Sequence, residues 1–149
     1  MALSGTLTVA LTVTESTTGE KYELTRRHVI SDKEQADKRL VFVPTSVVTI
    51  FLVGAAVAAG QYVNPNMIMI VNRDDTNFVT LGFKDTGGDT VYFRLDAGEV
   101  FLLGNTKVDT NTTGAVFSAF VDFDTVTAQA DTAEVALEYL VISEDAVVS

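Results

Sequence analysis

Residues 7–14 read Leu7-Thr8-Val9-Ala10-Leu11-Thr12-Val13-Thr14, and this stretch decides the fold class. Leu7, Val9, Leu11 and Val13 fall on one side of an extended chain, and Thr8, Ala10, Thr12 and Thr14 on the other. Strict period-2 alternation marks a strand with one apolar face, and β-branched residues suit a pleated surface better than a helix. The run Glu15–Glu20 that follows holds Ser16, Thr17, Thr18 and Gly19, which read as a turn. A second strand is expected over residues 21–25, with Tyr22 and Leu24 pointing inward.

The same reading extends along the chain. Residues 26–39 are polar and charge-mixed, ending DKEQADKR, and are expected to form a long loop or one short helix. Residues 40–43 and 46–53 are strand-like and interrupted at Pro44, which cannot donate to a ladder and so marks a break, a bulge or an edge. Further strands are expected over 67–71, 78–83, 90–95, 99–103 and 115–123, with a polar loop at 105–114. The turns between them are Asn72–Asn77, the hairpin tip Asp85–Asp89, and Asp96–Gly98. Gly87 and Gly88 are expected to supply the positive φ of that tip. In the last segment, 127–143, Ala128, Ala130, Ala133 and Ala136 suit a helix. The alternation of Val135, Leu137, Tyr139 and Val141 against Glu138, Leu140 and Ile142 favours a strand instead. Eight to ten short strands without βαβ alternation or a long repeat mean an all-β antiparallel sandwich or barrel.

A chain of 149 residues fits a single domain spanning 1–149 and is long enough to fold without disulfides or metal. It has no cysteine, which excludes disulfides, thiolate metal sites and Cys nucleophiles. Residues 1–8 lack the basic start and apolar run of a secretory signal. The most apolar stretch, 47–60, has 14 residues against the roughly 20 a membrane helix needs, so a soluble protein is expected. Six of the ten basic residues lie between Lys21 and Arg39, and residues 1–39 balance six basic against six acidic. Residues 40–149 hold four basic and fourteen acidic residues, so the net charge of −10 sits there. Such a surface repels DNA and anionic lipid, and neither nucleic acid nor membrane is an expected partner.

Catalytic constellations are thin. His28, the only histidine, adjoins Arg26 and Arg27, which disfavour its charged form, and it reads as a surface or interface residue. The carboxylate pairs Asp74/Asp75, Asp85/Asp89 and Asp122/Asp124 sit at strand ends, where Asp serves turns; a glycosidase would need two across a cleft. Asp74, Asp75 and Asn77 offer hard oxygen ligands, but without EF-hand spacing or the six to eight oxygens calcium needs. Asn111-Thr112-Thr113 matches a glycosylation sequon, which matters only in a eukaryotic secretory setting. Phe78, Phe83, Phe93, Phe101, Phe117, Phe120 and Phe123 lie at strand spacing and suit a core. The absence of Trp weakens a sugar-stacking reading. No enzyme, metal site or cofactor is expected.

Three stretches carry a resemblance: MIMIVNRDDTNFVTLGF (67–83), TVYFRLDAGEVFLL (90–103) and AQADTAEVALEYLVISED (128–145). Their order resembles small β-sandwich structural proteins of tailed bacteriophages, over roughly residues 64–145. The resemblance implies a jelly-roll-like virion protein without catalysis, made in the host cytoplasm. Such proteins act as capsid decoration (cement) or as tail and fibre components, often as trimers. Decoration is the leading expectation, with the major capsid protein and copies of the chain itself as partners on the capsid exterior. A receptor- or carbohydrate-binding module on a tail or fibre is the alternative. The basic segment with Arg26, Arg27, Lys38 and Arg39 is the candidate partner interface, because it alone is suited to meet an acidic surface.

Overall fold

The computed structural model describes residues 3–33, 35–54, 61–65, 67–85, 87–104, 123–143 and 145–146. Twelve strands run among them: β1 (Leu3–Thr14), β2 (Lys21–Lys33), β3 (Gln35–Val43), β4 (Val48–Gly54), β5 (Gln61–Val63), β6 (Met67–Asn72), β7 (Val79–Lys84), β8 (Thr90–Leu95), β9 (Val100–Gly104), β10 (Thr125–Ala130), β11 (Val135–Ser143) and β12 (Asp145–Ala146). They form a ribbon β1-β2, a six-stranded sheet β12-β5-β4-β10-β7-β8 and a four-stranded sheet β3-β11-β6-β9. All pairings are antiparallel except β4 with β5. The expected antiparallel β-sandwich is the fold found.

The two larger sheets share one apolar core. On β11 the inward positions are Val135, Leu137, Tyr139 and Val141, each buried, while the residues between them are half-buried. The facing strand β10 contributes Val126, Ala128 and Ala130. Two of the alanines that suited a helix, Ala128 and Ala130, are buried strand residues whose small side chains let the layers approach, whereas Ala136 lies on the half-buried side of β11 and Ala133 in the exposed link between the strands. Phe83 lies at the centre of an aromatic cluster, with ring centroids 5.0 Å from Phe123, 5.1 Å from Phe101 and 5.6 Å from Phe93. These separations are those of favourable edge-on and tilted ring contacts. Pro44 ends β3 and its carbonyl accepts from the Ala130 amide at 2.9 Å, so the break falls where the ring forbids a ladder donor.

Several expectations are corrected. Of residues 26–39, expected as a loop or short helix, 26–33 lie in the end of β2 and 35–39 in the start of β3. Both faces of β2 are open to solvent up to Val29, so charged side chains occur on each, and the apolar alternation of a half-buried strand is missing. Tyr22 and Leu24, expected inward, are exposed. The final segment is two strands, separated at residues 131–134. Of the DTGGD glycines only Gly88 takes a positive φ, 100°, while the Asp85 amide donates to the Asp89 carbonyl across the turn. The strand expected at 115–123 and the loop at 105–114 lie outside the described residues, apart from buried Phe123.

Candidate functional site

The ribbon is the most unusual surface. Its register pairs Val13 with Tyr22, Leu11 with Leu24, Val9 with Arg26 and Leu7 with His28, so these eight side chains share one face. The opposite face carries Thr14 with Lys21, Thr12 with Glu23, Ala10 with Thr25 and Thr8 with Arg27. The turn between the strands is held by the Gly19 amide donating to the Glu15 carbonyl at 2.9 Å, with Gly19 at φ 75°. Every residue from Thr8 to Val29 is exposed, including Leu11 at 58% and Leu24 at 59%. Two-stranded ribbons are marginal in water unless an apolar face packs on something. At its base the ribbon touches the four-stranded sheet: a Cβ on Gly104 would lie 2.8 Å from Leu7 Cδ2, so glycine there leaves room for the half-buried leucine.

The outer face of the four-stranded sheet is the second surface. Register aligns Leu40, Glu138, Val71 and Val100 in one row across β3, β11, β6 and β9. The next row is Lys38, Leu140, Met69 and Leu102. Phe42, on the same face, is 63% exposed. A depression of about 210 Å³ lies among Lys38, Met69, Val71, Glu138 and Leu140. Lys38 Nζ lies 2.5 Å and Arg73 Nε 3.4 Å from the Glu138 carboxylate. The Lys38 contact is the larger cause holding the Glu138 carboxyl below its ordinary value.

The structure does not gather the four basic residues expected at one interface. Arg26 and Arg27 stand on opposite faces of the ribbon, and Lys38 is on the outer sheet face. Arg39 is on the inner side of β3, its Nε 2.7 Å from Asp37 Oδ2. Asp37 also accepts from the Tyr62 hydroxyl. Burial, then that hydrogen bond, pushes the Tyr62 phenol far above its ordinary range; burial also raises Tyr139. Tyr62 and Tyr139 belong to the core, and Asp37 and Arg39 border it. His28 is exposed on the ribbon beside Leu7.

The carboxylates are occupied with turns. Asp74 Oδ1 accepts from the amides of Thr76 (2.8 Å) and Asn77 (2.6 Å), and the Asn77 contact leads in lowering its pKa. Asp85 Oδ1 accepts from the Asp89 amide at 2.8 Å. Asp124 accepts from the Thr125 hydroxyl at 2.8 Å, and Asp122 lies outside the described residues, as does the sequon at 111–113. Among the described residues no three His, Asp or Glu side chains converge on a common metal position. Sequence reasoning missed Asn72, which is buried and anchors the 72–77 turn: its Nδ2 donates to the carbonyls of Asn77 (2.9 Å) and Leu95 (3.1 Å). Its one signal was a polar residue at an inward position, in step with Ile68 and Ile70. Arg94 lies over the Phe78 ring, 3.9 Å from its centroid. Phe117 and Phe120 lie outside the described residues.

Comparison with protein-family models, curated proteins and solved structures finds no match to this chain.

Proposed function

We propose that the chain is an assembly protein of a tailed-phage particle, acting as a capsid decoration protein that binds the shell exterior and bridges its subunits. The observation that carries the assembly reading is the ribbon: an apolar face exposed on strands of 12 and 13 residues. Exposed contiguous apolar surface on a folded protein marks a contact with another molecule. The phage assignment rests on the resemblance over residues 64–145, whose three stretches correspond to β6-β7, β8-β9 and the β10-β11 pair. The charge distribution supports one neutral contact region and one acidic region facing solvent. Binding the assembled shell and not its free subunits stabilises the shell by mass action.

The test is co-sedimentation of the purified chain with shells of the particle whose genome encodes it. The chain is expected to saturate the shells, and charge reversal at Arg27, on the ribbon face opposite its apolar side chains, to weaken binding. Failure to bind shells, with the chain recovered solely in tails, overturns the decoration reading.

A further inference from the structure

We propose that the ribbon is an exchange arm. In this account its apolar face lies across the outer face of the four-stranded sheet of a second copy, and every copy gives one arm and receives one. This rests on the reading of the chain as an assembly protein, and supplies the partner for its two unpartnered apolar surfaces.

Both halves of the contact are on one chain. The arm offers Val9, Leu11, Val13, Tyr22 and Leu24 on one face. The sheet offers Leu40 and Phe42 beside half-buried Met69 and Leu140, with a depression able to take a side chain of the arm. The chain's own arm does not cover its own sheet. Leu7 rests against Gly104 at the rim, but exposure begins at the next residue and continues to the tip. With a rise of about 3.4 Å per residue, the tip stands roughly 30 Å beyond that rim.

Area favours giving and receiving together. An arm about 30 Å long and two strands wide, near 10 Å, has a footprint of roughly 300 Å². A one-way contact covers that footprint on each partner, well under the roughly 800 Å² per partner of stable interfaces. Reciprocal exchange between two copies doubles the coverage to about 600 Å² per subunit, about 1,200 Å² in total and so at the lower end of specific interfaces, and leaves no subunit with an open arm or sheet. Charge points the same way. Residues 3–33 carry four basic and four acidic side chains, while residues 34–149 carry six and sixteen. Body-to-body packing would bring together two units of like, strongly negative net charge; arm-to-body packing lays an element of no net charge on a sheet face whose charged side chains, Lys38, Arg73 and Glu138, are paired with one another.

The experiment uses the purified full chain without shells, so that its failure and a failure of shell binding are read separately. Sedimentation equilibrium should show a closed oligomer. Leu11→Asp with Leu24→Asp, and separately Leu40→Asp with Phe42→Asp, should each weaken association by at least about tenfold while circular dichroism stays that of the wild type. These positions are exposed, so the subunit fold does not depend on them. The chain has no cysteine, which permits a directional check. Single-cysteine proteins Leu24→Cys and Met69→Cys, mixed and treated with a short bismaleimide, should link mainly to each other. A monomeric wild type overturns the proposal. So does predominant linkage of Leu24→Cys to itself, which means arm-on-arm packing. Purely intramolecular linkage in the doubly substituted chain overturns it as well, because the arm then folds back on its own sheet.

Discussion

Replacing Asn72 with alanine tests whether one buried amide holds the 72–77 turn against the sandwich. The side chain is 1% exposed and makes three hydrogen bonds: two donated to the carbonyls of Asn77 and Leu95, and one accepted from the Asp74 amide at 3.0 Å. Each is worth about 1 kcal/mol net, so the loss is expected near 3 kcal/mol. For a chain of this size that corresponds to a fall in Tm of roughly 6–12 °C. Asn72→Asp keeps the acceptor for Asp74 and loses both donations while introducing a buried charge, so it should destabilise at least as much. Thermal unfolding followed by circular dichroism at neutral pH reads both variants. A drop of less than about 1 kcal/mol for Asn72→Ala would show that the turn is held by other contacts and refute the reasoning.

Three further outcomes follow from the same structure. A Cβ on Gly82 would lie 2.5 Å from Thr127 Oγ1, so Gly82→Ala should cost about 1–3 kcal/mol in a denaturant melt, and adding Thr127→Ala should recover much of it. The Asp74 and Glu138 carboxyls sit below their ordinary 3.8 and 4.5, so the stability they contribute is complete above those values and is lost as pH falls through the folded-state values. Tm should therefore decline in acid from about pH 4.5 downward, and Asp74→Asn should make the decline shallower. Tyr62 must stay protonated in the fold, so stability is complete below the ordinary phenol value of 10.0 and is lost as pH rises above it. Tyr62→Phe should reduce that alkaline loss and remove the latest-ionising phenol from a spectrophotometric titration.

The sandwich was legible because its inward positions alternate. Val135, Leu137, Tyr139 and Val141 outweighed the helix-favouring alanines, since a strand buried on one face needs period 2 whatever its propensities. The ribbon was half legible. Alternation at Leu7–Thr14 identified a strand with an apolar face, but alternation does not say whether that face meets the same chain or another. For that reason Tyr22 and Leu24 were expected inward and are exposed. Residues 26–29 gave no strand signal because both sides of the ribbon there are exposed. The basic residues looked like one patch because they are near in sequence. Period-2 geometry sends Arg26 and Arg27 to opposite faces, and Lys38 and Arg39 likewise. The outer sheet face was hidden because its rows combine residues from four strands far apart in the chain.

The central claim is that the apolar ribbon is covered by another molecule of the same assembly. Electron cryo-microscopy of particles carrying the chain tests it most directly. The account predicts density for the chain on the shell exterior, with each ribbon lying on the β3-β11-β6-β9 face of a neighbouring copy. Ribbons projecting free into solvent, or laid along their own subunit, would contradict it.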